Sequence, residues 1–207
     1  RGLGDVYKRQ PHEKGCTYTA LSLIAGELKA QGIETEILHV GGQPVGGCIG
    51  CGGCRSGNGC VFGGVVNEAI EKAKTADAFV FGTPVHYASA SGNMTSFMDR
   101  LAYAGGKYLA YKPAAICCSA RRAGTTSTLD QLVKYPEFFH MPLVSGSYWP
   151  MVHGSNPEQV LQDAEGCAVM QELGRNMAWL LRCIEAGKAA GIDHPQNPPR
   201  PMTSFIR

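Results

Sequence analysis

The segment Ala78-Phe-Val-Phe-Gly82 contains no polar side chain, and it decides the fold. An apolar run this short is typical of a central parallel strand that is buried on both faces of a sheet. A second run of the same kind, Ala114-Ala-Ile-Cys-Cys118, follows later in the chain. Parallel strands are joined by a crossover, which is usually a helix. The two runs therefore predict an α/β sheet covered by helices.

Helical and strand periodicities fill the rest of the chain in alternation. Apolar residues spaced i, i+3, i+4 and i+7 predict amphipathic helices, and alternating or continuous apolar residues predict further strands. The predicted helices cover residues 17–31, 66–73, 92–103 and 126–134 and a long segment from 157 onward; the additional strands cover 33–40 and 141–144. Such alternation predicts an open parallel sheet with right-handed crossovers and helices on both faces, a three-layer α/β/α architecture.

The two ends of the chain do not fit this pattern. In residues 1–10 only Leu3, Val6 and Tyr7 are large apolar side chains, so this segment is predicted to be neither a helix nor a buried strand. Residues 191–207 are rich in proline, which is typical of an irregular tail. The predicted organisation is an anomalous N-terminus (1–10), one domain (11–190) and a Pro-rich tail (191–207).

Composition excludes several classes of function. The chain has 207 residues, of which 44% are hydrophobic and 17% charged, as expected for one globular domain. A net charge of +2 is too small to favour a nucleic acid or an anionic membrane as partner. No apolar run approaches the roughly 20 residues of a membrane span, and no basic and apolar leader is visible. We therefore expect a cytoplasmic protein without a membrane partner.

The most distinctive motif lies in a glycine-rich segment, residues 41–64, that we call the cysteine loop. It reads Cys48-Ile-Gly-Cys-Gly-Gly-Cys-Arg-Ser-Gly-Asn-Gly-Cys60, a C-x2-C-x2-C-x5-C pattern. Glycines allow the positive φ angles that a backbone curled around a metal centre requires. The spacing is close to the bacterial C-x2-C-x2-C-x3-C pattern of iron–sulfur proteins, whereas structural zinc sites more often use two separated pairs. The predicted [4Fe–4S] ligands are Cys48, Cys51, Cys54 and Cys60; zinc, a redox thiol site and a loop without metal remain alternatives.

Three loops should meet at one edge of the predicted sheet, where open α/β sheets bind their ligands. They are the first loop (11–17), the second loop (83–91) and the third loop (119–125). The first loop leads into a helix and could present backbone N–H groups to a phosphate, or Thr17 could be an ordinary N-cap. Tyr87 in the second loop could stack on a flat ring or pack on its neighbours. Arg121 or Arg122 could hold a nicotinamide phosphate, or both could be simply solvated.

The second loop and the helix after it resemble a known family. The segment Gly82-Thr-Pro-Val-His-Tyr-Ala-Ser-Ala-Ser-Gly-Asn-Met-Thr-Ser-Phe-Met-Asp-Arg100 is similar to the second flavin loop of the NADPH-dependent FMN reductase family. With the four cysteines, the chain resembles the iron–sulfur flavoprotein branch of that family, over most of residues 11–187. The resemblance implies a flavodoxin-like fold, bound FMN, a [4Fe–4S] cluster and assembly into homodimers or homotetramers.

The resemblance also implies which residues bind the flavin. In the first loop, which would hold the FMN phosphate, these are Pro11, His12, Gly15, Cys16 and Thr17. Around the second loop they are Thr83, Pro84, Val85, His86, Tyr87, Ser91, Gly92 and Asn93. In the third loop they are Ser119, Arg121, Arg122 and Gly124. No catalytic residue beyond the cofactors is implied, and His86 and Tyr87 are the flavin-side candidates.

One departure from the family pattern concerns the start of the chain. The family has an apolar first strand ending in Gly-Ser-Pro, and residues 1–10 lack that pattern, so we expect this central strand to be missing or corrupted. The predicted function is an FMN-dependent oxidoreductase that takes electrons from NAD(P)H or a reduced carrier, with a [4Fe–4S] cluster. The alternatives are an NAD(P)H-dependent FMN or quinone reductase without a cluster, and a non-catalytic flavodoxin-like electron carrier or redox sensor.

Overall fold

A computed structural model of the chain describes the backbone of residues 3–8 and, with side chains, residues 14–203. The strands are β1 (Leu3–Lys8), β2 (Glu34–His39), β3 (Ala78–His86), β4 (Ser89–Ala90), β5 (Ala114–Ala120) and β6 (Met151–His153). The helices are α1 (Cys16–Ala30), α2 (Val65–Ala73), α3 (Gly92–Gly105), α4 (Thr125–Phe138), α5 (Pro157–Val160) and α6 (Ala164–Ala189).

The sheet has the strand order β2-β1-β3-β5-β6, and all pairings along this path are parallel. The short strand β4 lies off the path and pairs with the end of β3 in antiparallel orientation. With β4 set aside, the order is the 2-1-3-4-5 order of flavodoxin-like folds. The predicted fold class is confirmed.

The prediction of a missing first strand is wrong. β1 occupies the centre of the sheet, where Val6 is in register with Ile37 of β2 on one side and with Val80 of β3 on the other. A central strand is held through backbone N–H and C=O groups, which every residue except proline supplies in full. Because sequence patterns report side chains, a strand with few large apolar residues escaped detection.

The prediction of a last strand at residues 141–144 is also wrong. Only an isolated bridge joins Leu143 to Ala114, and Pro142 lacks the N–H that a continuous ladder would use. The edge of the sheet is β6 instead, where Met151 pairs with Cys118 near the end of β5.

The predicted long helix from Pro157 is interrupted. α5 ends at Val160, and α6 begins after Asp163, whose carboxylate accepts hydrogen bonds from the backbone N–H groups of Gly166 and His153 at 3.0 and 2.7 Å. This N-cap starts a new helix and fixes its first turn to the end of β6.

Helices cover both faces of the sheet. Helices α1 and α6 pack on one face against Ala78, Val80, Ala115 and Cys117. Helices α2, α3 and α4 pack on the other face, against residues such as Phe79, Phe81 and Ile116 that alternate with the first set. This alternation is expected for strands buried on both faces. None of the helices in the described part of the chain is long and apolar enough to cross a membrane.

Candidate functional site

The first and third loops are joined at the carboxyl edge of the sheet by a buried pair of hydroxyl groups. The Oγ1 of Thr17 lies 2.7 Å from the Oγ of Ser119, and both residues are at most 3% exposed. The structure therefore brings these two predicted site residues together, as the parallel arrangement of β1 and β5 leads one to expect.

The N-terminus of α1 is suited to an anion. Its N-cap residue is Gly15, which has no side chain to accept a hydrogen bond, and the first turn contains no acidic residue. The alternative of an N-cap by Thr17 is wrong, because Thr17 lies inside the helix and its hydroxyl contacts Ser119. The positive end of a helix dipole without a capping carboxylate favours a phosphate. Pro11 and His12, predicted for the same loop, lie outside the described residues.

The buried hydroxyl pair gives a testable stability effect. We expect Thr17→Val or Ser119→Ala alone to lower the free energy of unfolding by about 1–3 kcal/mol, because each leaves one buried hydroxyl without its partner. The double variant should lose less than the sum of the two, since it removes both polar groups. Urea unfolding of the four proteins measures this coupling; strictly additive losses would contradict it.

The second loop is a tight hairpin between β3 and β4. His86 pairs with Ser89, and the two turn residues Tyr87 and Ala88 both have positive φ, 50° and 57°. Positive φ at both central positions is the hallmark of a type I′ turn, which glycine and asparagine normally occupy. Strained turns of this kind concentrate at ligand sites. The side chains of His86 and Tyr87 are exposed at this edge of the sheet.

Other predicted flavin-side residues brace the second loop from inside. The hydroxyl of Thr83, which is fully buried, donates to the carbonyl oxygen of Pro84 at 3.0 Å and accepts from the backbone N–H of Ser91 at 3.2 Å. Pro84 is buried and Val85 half-buried. These contacts fix the position of the turn that carries Tyr87.

Helix α4 holds the same turn from the outside. The Oγ of Ser127 donates to the carbonyl oxygen of Ala88 at 2.7 Å. The side-chain oxygen of Gln131 accepts from the Oγ of Ser89 at 2.7 Å and from the backbone N–H of Ala90 at 3.0 Å. The sequence analysis missed Ser127 and Gln131, because no local pattern indicates contacts that span about 40 residues.

The third loop presents two cations to solvent. Arg121 and Arg122 are exposed, and within residues 14–203 neither forms an ion pair with a carboxylate. Gly124, at the end of this loop, has φ of 92° and lies directly against Ala88. The third loop therefore packs on the second.

The thiols of β5 take no part in this site. Burial raises the pKa of both Cys117 and Cys118, the latter to about 12. Both thiols are therefore protonated at neutral pH and behave as small core side chains.

The four cysteines of the cysteine loop line one pocket of about 340 Å³. Cys48 and Cys51 are exposed, whereas Cys54 and Cys60 are half-buried. Cys54 lies in a short 3₁₀ turn between Gly52 and Gly57, both with positive φ (71° and 83°), as expected for a loop curled around its own cysteines. In the part of the chain that the structure describes, no three His, Cys, Asp or Glu side chains are grouped so as to hold a single metal ion.

The last cysteine of the motif is fixed by Asn67 on α2. The side-chain amide of Asn67 accepts from the backbone N–H of Cys60 at 2.8 Å and donates to its carbonyl oxygen at 3.0 Å. This two-point contact holds the end of the cysteine loop against α2.

The same pocket contains a buried cation that the sequence analysis missed. Arg100 on α3 is 6% exposed, and its Nε lies 3.2 Å from the Sγ of Cys60. Its two terminal nitrogens donate to the carbonyl oxygens of Gly46 (3.3 Å) and Gly63 (2.9 Å). All three hydrogen-bond contacts thus go to the cysteine loop.

Asn93 connects the cysteine loop to the flavin-side candidates. It lies in the first turn of α3, directly after the second loop, and its side chain accepts from the N–H of Val45 at 3.3 Å and donates to the carbonyl oxygen of Gln43 at 3.1 Å. The two candidate sites are therefore attached to the same end of one helix.

Comparisons with known proteins agree with this architecture. The family model of NADPH-dependent FMN reductase matches residues 10–156. An iron–sulfur flavoprotein of Methanocaldococcus jannaschii is 26% identical over 84% of this chain and 95% of its own length. An iron–sulfur flavoprotein of Archaeoglobus fulgidus is 29% identical over 84% of this chain and 90% of its own.

A solved structure supports the fold independently. The crystal structure of a WrbA-like flavodoxin from Agrobacterium tumefaciens superposes with a TM-score of 0.63 at 15% identity, covering 88% of this chain and 99% of that one. At this identity the likeness concerns the fold alone. The family match, which covers more than half of the chain, shows more: the chain belongs to the NADPH-dependent FMN reductase family of FMN-dependent oxidoreductases.

Proposed function

We propose that this FMN-dependent oxidoreductase also carries a [4Fe–4S] cluster on Cys48, Cys51, Cys54 and Cys60, and that electrons pass between the cluster and FMN. The observation that carries the proposal is that all four cysteines of the compact motif line one pocket. The printed names of the archaeal relatives, iron–sulfur flavoproteins, are consistent with it.

The chemistry of the pocket fits a cluster better than a single ion. A structural zinc site needs its thiolates to converge tetrahedrally on one point, and such sites more often use two separated cysteine pairs than one compact motif. In a four-iron cluster each cysteine thiolate binds a different iron, so the four sulfurs surround a volume instead of a point. Thiolate ligands also carry negative charge, which a buried guanidinium in the same pocket would balance.

The flavin would lie across the three loops at the carboxyl edge of the sheet. The uncapped N-terminus of α1 at Gly15, Cys16 and Thr17 would hold the FMN phosphate. The hairpin would place Tyr87 and His86 beside the ring, and their exposed side chains are available to stack on it and to exclude water. When bound, FMN can accept two electrons from a donor and pass them on one at a time to an iron–sulfur centre. The protein positions the flavin and the centre relative to each other.

The third loop supports two candidate electron donors. Arg121 and Arg122 are exposed cations without carboxylate partners in residues 14–203, at the edge where the flavin would lie. They would bind a phosphate of NAD(P)H during hydride transfer, or an acidic surface of a reduced carrier protein. We further propose a homodimer or homotetramer, as the resemblance implies, and a cytoplasmic location, since clustered thiols favour a reducing compartment.

Metal and flavin analysis of one anaerobically purified sample tests the proposal. We expect roughly four irons and four acid-labile sulfides per chain, as in a [4Fe–4S] centre, together with one FMN. FMN without iron would favour a reductase lacking the cluster. FMN and iron without NAD(P)H oxidation in turnover assays would favour an electron carrier. Zinc in place of iron would overturn the cluster.

A further inference from the structure

We propose that Arg100 is the counter-cation of the cysteine pocket: it stabilises a negatively charged metal–thiolate centre there and favours the more reduced form of that centre. The inference rests on the proposed function, because it assumes that the four cysteines bind a metal centre. Arg100 would thus help to set the reduction potential of the centre.

The first argument is the direction of the contacts. Arg100 projects from α3, yet its hydrogen-bond partners lie on either side of the cysteine motif, at Gly46 and Gly63, and on Cys60 itself. Its guanidinium also lies 5.6 Å from the ring of Phe62, the second residue after the motif. The planar fork of arginine thus clamps both ends of the loop while directing an N–H group at a ligand sulfur.

The second argument is charge. A guanidinium stays protonated at any physiological pH, and burying an unpaired charge is costly. Yet no carboxylate with a described side chain lies within ion-pair distance of Arg100. The adjacent Asp99 instead accepts a hydrogen bond from the hydroxyl of Tyr135 at 2.5 Å. The group facing Arg100 is the Cys60 sulfur, so negative charge at the thiolate centre would be its partner.

The consequence for redox chemistry follows from electrostatics. Reduction adds negative charge to the centre, and a fixed cation next to a ligand sulfur stabilises the reduced form more than the oxidised form. Hydrogen bonds to the sulfurs and net charge are among the features that set iron–sulfur potentials. Arg100 should therefore raise the reduction potential of the centre.

Three variants separate charge from structure. Arg100→Gln removes the cation and keeps a polar side chain, and Arg100→Lys keeps the charge. Arg55→Gln removes a second cation that lines the same pocket but is exposed, where water screens its charge. Each protein is purified anaerobically. We measure its iron content, the rate of iron loss to a chelator, and the reduction potential from a redox titration followed by electron paramagnetic resonance. Melting temperature and FMN content check that each variant is folded.

We expect Arg100→Gln to lose iron about tenfold faster and to lower the reduced-to-oxidised ratio at a fixed potential about tenfold, which is about 59 mV for one electron. Arg100→Lys should recover most of the potential, and Arg55→Gln should change it far less. If Arg100→Gln and Arg55→Gln give the same potential and iron retention, Arg100 is not the counter-cation, although the cluster stands. If Arg100→Gln and Arg100→Lys shift the potential equally, the shape of the side chain at position 100, and not its charge, determines the potential. That result would overturn the proposal.

A metal other than iron keeps the test independent of the cluster. If the wild-type protein contains no iron, Co²⁺ is titrated into the reduced protein and thiolate charge-transfer absorption is recorded. Thiolate binding that weakens about tenfold in Arg100→Gln, but not in Arg55→Gln, would retain the role of Arg100 while refuting the cluster. If Arg100→Gln fails to retain iron, the same Co²⁺ titration is carried out, and we expect the same tenfold weaker Co²⁺ binding in Arg100→Gln. Co²⁺ binding that is absent in the wild-type protein, or equal in all variants, would overturn the proposal.

Discussion

Replacing Cys51 with alanine is expected to reduce the iron content from about four atoms per chain to below one while leaving FMN bound. A [4Fe–4S] cluster depends on four thiolates, and losing one exposes an iron to solvent and oxidation. Cys51 is exposed, so the substitution leaves no cavity in the core and should change the melting temperature little. Iron, sulfide and FMN are quantified in the same anaerobic sample.

Cys183→Ala is the matched control. Cys183 is also exposed but lies on α6, outside the cysteine loop, so its removal should leave the iron and FMN contents at wild-type values. Equal iron in both variants would show that Cys51 is not a ligand. Loss of both iron and FMN in Cys51→Ala would contradict the prediction and indicate that the two sites are coupled through the contacts of Asn93 with the cysteine loop.

Sequence reasoning succeeded where apolar side chains indicate which positions are buried. The runs Ala78–Gly82 and Ala114–Cys118 are apolar because both faces of these strands are covered. Apolar periodicity over residues 92–103 predicted α3, whose buried residues include Met94, Phe97, Met98 and Leu101. From such segments the α/β fold class and the edge of the sheet where the loops meet could be predicted.

Sequence reasoning failed where backbone pairing or contacts between residues distant in sequence determine the structure. β1 is specified by pairing with two neighbours, and β6 by its position beside β5, neither of which a local pattern records. Arg100 and Asp99 are neighbours in sequence, yet their side chains take different partners, Cys60 and Tyr135. The four cysteines were visible from their spacing, whereas the cation beside them, 40 residues away from Cys60, required the fold.

The packing of the third loop on the second leads to the other large expected effect. We expect Gly124→Ala to lower the free energy of unfolding by about 2 kcal/mol or more and to raise the Kd for FMN at least tenfold, about 1.4 kcal/mol of binding. The added Cβ would lie 2.5 Å from the Cα of Ala88, a backbone atom, so the hairpin that carries Tyr87 must move. In addition, φ of 92° is unfavourable for alanine. Urea unfolding of the apoprotein and FMN fluorescence titration measure the two effects.

Gly32→Ala separates the two causes. Gly32 also has a positive φ, 78°, but nothing lies within 4 Å of the position of its added Cβ, and it lies after α1, at the other end of that helix from the first loop. This variant should lose only about 1 kcal/mol of stability through backbone strain and keep the wild-type affinity for FMN. If Gly124→Ala also bound FMN as tightly as the wild-type protein, the turn at Tyr87 and Ala88 would not be part of the flavin site, and the ring would have to be held by the other two loops alone.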